Sequence, residues 1–390
     1  MSRRTQFVPY SPKTILNKSK RPDHWFWTRY SAYPYLGCQH GCEFCYCRER
    51  KYYPYDDVSD FAYVVKVKQN APALLRRALS RVPMDMLFTG DYQPAERKFM
   101  LSHQMLQVCC DLGFPVFVLS RSPLVLRDLD LLRIINERAR AVVAFSVIST
   151  PDSPAYQPVR RMERLAPPPE KRFAAMEQLA RAGILTGVCF MPILPGLCDD
   201  DANLRSVVRW TADHGGRFVL ASGLTLADQQ REFFFRVLRE HFPDRVGLYQ
   251  RLYPEGSYSP SGWPWRAIAL RIRELCQQAS VSDRIPRPIL PGEKRALNKR
   301  IVEALADQLY TMELNDESPQ RTWAIRKAAW AIEDLEQDIG LVYRRMGLKG
   351  LSSIQNVGPV LAQEVERLIK LLHARADLEE DCDTETPSQR

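Results

Sequence analysis

The sequence predicts an α/β protein with an all-α unit at its C-terminal end. Three observations support this fold class. Between residues 38 and 292, short apolar runs rich in β-branched residues alternate with segments of helical periodicity, as βαβ units require. Several of these runs lack polar alternation, which is typical of a parallel sheet buried on both faces. Beyond residue 295, strand patterns give way to helical periodicity rich in Ala, Leu and Glu.

The α/β unit contains five predicted strands, in the order Met86–Thr89, Val116–Ser120, Val142–Ile148, Gly187–Ile193 and Phe218–Leu220. Two of the intervening helices are predicted over Leu101–Leu112 and Glu170–Ala182, and Gly183 follows the second helix as a C-cap glycine would. The unit is therefore an open sheet or a partial (β/α) barrel. In such folds, ligands bind at the carboxyl ends of the strands.

The composition describes a folded, basic protein. Of 390 residues, 45% are hydrophobic and 26% charged, which excludes disorder for most of the chain. The formal net charge is +9; residues 375–390 hold two arginines against six acidic residues, so the first 374 residues carry +13. This excess favours a polyanionic partner such as nucleic acid, although many basic proteins bind none.

Neither membrane insertion nor secretion is expected from the sequence. The mean hydropathy is −0.32, and no apolar run approaches the roughly 18 residues that a spanning helix needs. The N-terminal sequence MSRRTQF lacks the apolar stretch of a signal peptide. We therefore expect a cytoplasmic protein whose ten cysteines are thiols or metal ligands rather than disulfides.

Four regions are predicted along the chain. Residues 1–37 form a basic, aromatic arm, suited either to phosphates and unstacked bases or to wrapping over its own domain. Residues 38–292 form the α/β unit, and its last eight residues, IPRPILPG, read as a linker. Residues 293–373 form the helical unit, and residues 374–390 an acidic, disordered tail.

A cysteine cluster marks the candidate chemistry. Cys38, Cys42 and Cys45 have C-x3-C-x2-C spacing, so three thiolates from one loop can converge on one metal centre. Such a tripod leaves one iron of a cubane cluster without a protein ligand. Two alternatives remain open: a zinc site completed by Cys47 or His40, and a redox pair of Cys42 and Cys45. We expect Cys47 to be a bystander and most of the other cysteines to be buried thiols.

This spacing, with Phe44 just before the third cysteine, resembles the signature of the radical S-adenosylmethionine (SAM) enzymes. The resemblance implies that Cys38, Cys42 and Cys45 bind a 4Fe-4S cluster whose fourth iron is chelated by SAM. An electron donor such as flavodoxin or ferredoxin would then allow reductive cleavage of SAM to a 5'-deoxyadenosyl radical. The cofactor carries this chemistry, and the protein orients it.

Three further segments resemble the spore photoproduct lyase-like branch, the DNA repair photolyase type: FTGDYQPAE from residue 88, SRSPLVLRDLDLL from residue 120, and residues 145–172. The resemblance implies SAM contacts by a set of six residues: Phe44, Gly90, Asp91, Ser146, Glu163 and Arg164. Two positions depart from the branch. Arg164 replaces its usual proline, and Pro115 stands where spore photoproduct lyase has its hydrogen-donor cysteine, so dimer reversal is not implied.

The helical unit contains a candidate nucleic-acid site. The run LSSIQNVGPVLAQEVERLI from residue 351 matches a helix-hairpin-helix pattern, in which backbone amides at Val357, Gly358 and Val360 bind a phosphate. Residues 315–372 resemble the N-terminal domain of DNA polymerase β-type enzymes. Glu364 occupies the position of that domain's Schiff-base lysine, so its lyase chemistry is not implied. A hairpin that packs on the protein itself is the alternative.

These inferences predict a radical SAM enzyme that abstracts hydrogen from a nucleic acid, most specifically DNA, in a repair role. A modifier of RNA, protein or peptide with the same chemistry is one alternative. A non-catalytic, zinc-containing DNA-binding protein is an alternative of another class. The sequence identifies no substrate-side catalytic residue and no oligomeric state.

Overall fold

The computed structural model describes residues 3–53 and 56–384, with side chains as far as residue 374. The chain divides into two compact units, residues 1–285 and 286–390. This division falls seven residues before the predicted boundary, because all of the expected linker except Ile285 is part of the helical unit. Its Arg287 is only 4% exposed and donates hydrogen bonds of 2.7 Å to both carboxylate oxygens of Glu333.

The described residues contain ten strands and fourteen α-helices. The strands are β1 (Gln6–Tyr10), β2 (Asn17–Lys18), β3 (Tyr30–Ser31), β4 (Tyr35–Leu36), β5 (Val64–Lys68), β6 (Leu87–Thr89), β7 (Val116–Ser120), β8 (Ala141–Ser146), β9 (Leu185–Ile193) and β10 (Val219–Gly223). The helices are α1 (Ala71–Leu79), α2 (Glu96–Phe99), α3 (Leu101–Leu112), α4 (Leu129–Arg138), α5 (Tyr156–Met162), α6 (Pro169–Arg181), α7 (Asp201–Asp213), α8 (Asp228–His241), α9 (Val246–Leu252), α10 (Trp265–Gln278), α11 (Ala296–Leu314), α12 (Pro319–Asp334), α13 (Ile339–Ser352) and α14 (Pro359–Thr384).

The larger sheet has seven strands in the order β10-β9-β8-β7-β6-β3-β2. Every neighbouring pair from β10 to β3 is parallel, and only β2 pairs antiparallel. The predicted parallel sheet is therefore confirmed, and the bounds predicted for β7 are those observed. Within the described residues the sheet is open, with β10 and β2 at its edges. The carboxyl ends of β6, β7, β8 and β9 consequently meet at one edge.

Apolar side chains cover both faces of this sheet. Val142 and Val143 point to opposite faces of β8, and each is at most 1% exposed. Helix α3 has the predicted bounds, and α6 begins and ends one residue before the prediction. Their buried faces include Met105, Leu106 and Met176, which belong to the same core. Uninterrupted apolar strands are thus explained by helices packed on either side.

The N-terminal segment is part of the α/β unit rather than a separate arm. Its residues form β1 to β4, and β1 and β4 flank β5 in a second sheet of order β1-β5-β4. Sequence periodicity misses β1, QFVPY, because Pro9 interrupts its pattern. Proline is tolerated there because β1 is an edge strand.

The helical unit consists of α11 to α14, as its composition predicts. Its core includes Ile301, Leu305, Ala328 and Ile332, all fully buried. Helix α14 extends to Thr384, into the predicted tail, whose disorder stays a prediction. The sequence ADLEED is rich in helix formers, which explains the continuation. The remaining residues of the predicted tail, 385–390, lie outside the described residues.

None of the helices in the described part of the chain has both the length and the apolar composition that crossing a bilayer requires.

Candidate metal and cofactor site

The cysteine loop follows β4 and is held by a series of backbone turns. Gly37 has φ +81°, and a Cβ there would lie 2.5 Å from the carbonyl oxygen of Val64, so only glycine fits. The Cys38 amide donates to the Phe61 carbonyl at 2.9 Å, and the Cys45 amide donates to the Cys42 carbonyl at 3.2 Å. These contacts fix the backbone of the loop at its first and third cysteines.

The thiols of the loop lie close enough to affect one another's pKa values. Burial raises the pKa of Cys42 to about 11, while the nearby Arg121 guanidinium acts in the opposite direction. Burial, followed by the Asp91 carboxylate, raises the pKa of Cys38. A hydrogen bond with the Cys47 thiol lowers the pKa of Cys45 to about 6. Cys47 therefore interacts directly with a predicted ligand, although no role as a ligand follows.

The donor chemistry of the loop fits an iron-sulfur cluster, but its side chains are not arranged as a metal site. Across the described residues, no group of three or more His, Cys, Asp or Glu side chains is positioned to hold a metal ion. Three cysteines on one short loop are nevertheless the donor set that such clusters take. His40 is buried with a pKa lowered to about 3 by burial and by Arg172 and Arg121, so its imidazole is neutral.

Arg48 fastens the cysteine loop from within. This side chain is 2% exposed and donates from Nε to the Cys42 carbonyl (3.1 Å) and from Nη2 to the Gly41 carbonyl (2.9 Å). Its guanidinium also lies 4.6 Å from the ring centre of Phe61 and 4.0 Å from that of Phe233. The backbone on which Cys42 sits is therefore fixed by a buried cation between two aromatic rings.

A buried ion-pair triad lies beside the loop. Glu163, which is 0% exposed, pairs with Arg121 through one carboxylate oxygen and with Arg172 through the other. These two cations keep the pKa of Glu163 below its usual range in spite of burial. Arg121 also lies with its guanidinium 5.2 Å from the ring centre of Phe44. The triad thus connects the carboxyl end of β7 to the cysteine loop.

The segment after β6 is also connected to the cysteine loop, through Gln93. Gln93 donates from Nε2 to the Gly37 carbonyl (3.0 Å) and to Asp91 Oδ2 (3.1 Å), and accepts from the Gln39 amide at 3.0 Å. Burial raises the pKa of Asp91 to about 7. Gly90 has φ +93°, and a Cβ there would lie 2.6 Å from Cγ1 of Val118. Glycine is therefore required at this strand end, next to the partly buried carboxyl group of Asp91.

The other predicted cofactor contacts occupy different settings. Phe44 is buried, and Ser146 at the end of β8 donates from Oγ to the Met191 carbonyl at 3.2 Å. Glu163 has both oxygens engaged by arginines, so it orients cations rather than offering a free carboxylate. Arg164, which follows Glu163 in the chain, is exposed to solvent.

At the predicted hairpin, the three residues differ in exposure. Val357 is 2% exposed and its amide donates to the Ile354 carbonyl at 3.0 Å, so that amide is engaged in the turn. Gly358 has no atom within 4 Å of where its Cβ would lie, and Val360 is 78% exposed. Pro359 begins α14 as predicted. The first amides of α14 lack partners within the helix, as at any helix N-terminus.

Four residues that connect the site were not singled out from the sequence: Arg48, Gln93, Arg121 and Arg172. Two of them have partners that are distant along the chain: Gln93 and Gly37 are 56 residues apart, and Arg121 and Glu163 are 42 residues apart. One signal was available for Arg121, because it directly follows a predicted strand whose carboxyl end meets those of its neighbours.

Comparison with known sequences finds uncharacterized relatives. A protein of Mycobacterium tuberculosis is 29% identical over 242 residues, which cover 60% of this chain and 70% of that protein. A protein of Methanocaldococcus jannaschii is 28% identical over 201 residues, covering 51% of this chain and 72% of that protein. No family model matches the sequence.

Comparison with solved structures finds spore photoproduct lyase. Its complex with dinucleoside spore photoproduct has a TM-score of 0.51 and 15% identity, covering 71% of this chain and 81% of that one. A double mutant with bound AdoMet and dinucleoside spore photoproduct has a TM-score of 0.51 and 13% identity, with the same coverage. The resemblance predicted from the sequence is confirmed at the level of the fold.

Proposed function

We propose that this chain is a radical SAM enzyme that acts on nucleic acid, with DNA as the favoured substrate. The observation that carries the proposal is the position of the cysteine loop: it is fastened through Gln93 to the end of β6 and through Arg121 to the end of β7. Parallel α/β sheets bind their ligands at this edge. The similarity in fold to spore photoproduct lyase supports the same chemistry.

Cys38, Cys42 and Cys45 would hold a 4Fe-4S cluster through their thiolates. When bound with SAM, this group supplies a 5'-deoxyadenosyl radical after one-electron reduction. The chain itself contributes position and charge. Gly90 leaves room for a ligand against the backbone, and the Asp91 carboxyl beside it would accept hydrogen bonds from an ammonium group.

Among the cations, Arg121 is better placed than Arg164 to meet a ligand carboxylate. Arg121 lies against Phe44, two residues from Cys42, whereas Arg164 is exposed. Glu163 and Arg172 hold Arg121 in place. In our proposal Glu163 therefore contributes to the site through Arg121, while Phe44 and Ser146 line it.

The helical unit would bind the DNA backbone. The exposed turn at Gly358 and the free amides that begin α14 suit a phosphate without reading sequence. The positive charge of the chain supports the same partner. An electron donor such as flavodoxin or ferredoxin completes the proposed system.

Anaerobic reconstitution tests the chemistry. Wild type, Cys42→Ala and a control, Cys276→Ala, are loaded with iron and sulfide, and 5'-deoxyadenosine is measured after reduction with SAM. Cys276 suits as control because it is equally buried, at 1% exposure, on α10. We expect wild type and the control to bind about four irons and to cleave SAM, and Cys42→Ala to do neither.

Two results would contradict the proposal: a Cys42→Ala variant that keeps its metal, or a wild type that binds zinc and never cleaves SAM. Mass spectrometry of nucleosides after turnover with DNA separates a nucleic-acid substrate from the alternatives. Modified RNA, peptide or protein in place of modified DNA would move the proposal to that substrate class.

A further inference from the structure

Three exposed tyrosines and a lysine surround the outer side of the cysteine loop. Tyr46, Tyr52 and Tyr258 are 51%, 41% and 48% exposed. The rings of Tyr46 and Tyr52 meet edge to face, with centres 5.4 Å apart. Lys51 Nζ lies 4.8 Å from the ring centre of Tyr52 and 5.9 Å from that of Tyr258. We refer to these four residues as the tyrosine rim.

The rim lies next to the proposed reactive centre. Tyr46 directly follows Cys45, the third cysteine of the loop. On the other side, the Tyr258 carbonyl accepts a hydrogen bond of 2.9 Å from the Leu226 amide, in the segment that follows β10. The rim therefore extends from the cysteine loop to the carboxyl end of a strand of the large sheet.

A buried carboxylate beside the rim has unused hydrogen-bonding capacity. Glu49 is 2% exposed, and one of its oxygens pairs with Lys51 at 2.8 Å. Its Oε1 atom has no hydrogen-bond partner in the described part of the protein. Because Oε1 is covered by protein, the part of Glu49 that bears on the rim is its other oxygen, which holds Lys51 in place beside the tyrosine rings.

Exposed aromatic faces next to cations suit one kind of ligand in particular. A nucleobase offers a flat face for stacking, and its phosphate offers negative charge to Lys51 and to the neighbouring, exposed Arg50. Bases inside a duplex have both faces covered by their neighbours. Only a single-stranded or flipped-out nucleotide presents a free face to a protein.

We infer that the tyrosine rim binds an unstacked nucleobase, of a single-stranded or flipped-out nucleotide, beside the cysteine loop. This inference deepens the proposed function and rests on it for the identity of the substrate. It assigns Tyr52, Tyr258 and Lys51 to substrate binding, while the hairpin of the helical unit would bind backbone phosphates elsewhere.

Fluorescence titration of the full-length, reconstituted protein tests the inference. The probe is a single-stranded oligonucleotide containing 2-aminopurine, whose emission is quenched by stacking, and an unlabelled duplex serves as competitor. The variants are Tyr52→Ala, Tyr258→Ala and Tyr52→Phe. Tyr10→Ala is the matched control, since Tyr10 is also 41% exposed but belongs to β1.

We expect both alanine variants to bind the oligonucleotide about 5- to 160-fold more weakly, the range that corresponds to the loss of one base-stacking contact. Tyr52→Phe keeps the aromatic face and should bind and quench as wild type does, as should Tyr10→Ala. Thermal unfolding of each variant separates lost binding from lost folding. Because Tyr258 lies outside regular secondary structure, the affinity of its alanine variant for the oligonucleotide can be measured even if Tyr52→Ala is unstable.

Wild-type affinity in both alanine variants would overturn the inference, as would equal weakening by Tyr10→Ala or a duplex that competes as well as single strands. SAM cleavage without nucleic acid distinguishes this failure from failure of the proposed function. If the protein cleaves SAM but the rim variants bind the oligonucleotide as wild type does, only the inference about the tyrosine rim is refuted. A protein that cannot cleave SAM refutes the proposed function, whatever the titration shows.

Discussion

The cysteine loop and the hairpin at Gly358 are both turns that the sequence marks as ligand sites, but they are held very differently. Arg48 and Gln93, each at most 2% exposed, fasten the cysteine loop from inside the α/β unit. At the hairpin, Gly358 faces open space and Val360 is 78% exposed. In our proposal, the cysteine loop holds a cluster in one fixed geometry, whereas the hairpin presents exposed backbone amides to a phosphate.

The largest expected effect concerns the buried triad. Glu163→Gln leaves the fully buried Arg172 and the partly buried Arg121 without a carboxylate partner, and we expect the free energy of unfolding to fall by about 3–5 kcal/mol. Urea unfolding of the metal-free protein measures this change. The control is Glu177→Gln, whose partner Arg181 is 74% exposed, and which should cost at most about 0.5 kcal/mol. Equal effects would show that the triad contributes little.

A smaller effect is expected at Arg48. Arg48→Met keeps an apolar chain between Phe61 and Phe233 but leaves buried carbonyls, including those of Gly41 and Cys42, without donors. We expect a loss of about 2–3 kcal/mol, as for unsatisfied buried acceptors, and faster alkylation of Cys42 in the metal-free protein. Arg133→Met, an exposed change on α4, is the control. Unchanged alkylation would mean that Arg48 does not fix the loop.

The smallest effect on stability is expected at the hairpin. Val360→Glu places a negative charge in the first turn of α14, which favours the helix and repels a phosphate. Stability should change by less than about 0.5 kcal/mol, because the site is exposed. DNA affinity should fall about fivefold, in a salt-dependent manner. Leu371→Glu, 39% exposed on the same helix, is the control. Equal DNA affinity in wild type and Val360→Glu would remove the hairpin from the proposed interface.

Local patterns predicted much of the fold. Strand β7 and helix α3 have the predicted bounds, because uninterrupted apolar runs and helical periodicity act over a few neighbouring residues. Strand β1 was missed because it pairs with β5, more than fifty residues away, and includes a proline. The end of α14 at Thr384 was not predicted, because the acidic composition after residue 374 concealed a helix propensity that continues beyond it.

Local patterns also singled out part of the candidate site. The three cysteines and the strand-end pair Gly90 and Asp91 follow from spacing and resemblance. The structure pairs Glu163 with Arg121 and Arg172. Arg121 and Glu163 are 42 residues apart, and an ion pair over such a separation leaves no trace in local periodicity. Cluster binding by the three cysteines and the SAM contacts of the six other residues stay predictions.

Electron paramagnetic resonance of the reduced, reconstituted protein tests the central claim most directly. If Cys38, Cys42 and Cys45 leave one iron open to SAM, adding SAM should shift the spectrum of the wild-type cluster, since SAM becomes a ligand of that iron. Cys276→Ala should show the same shift, and Cys42→Ala should give no cluster signal. A cluster spectrum that is identical with and without SAM would contradict the account.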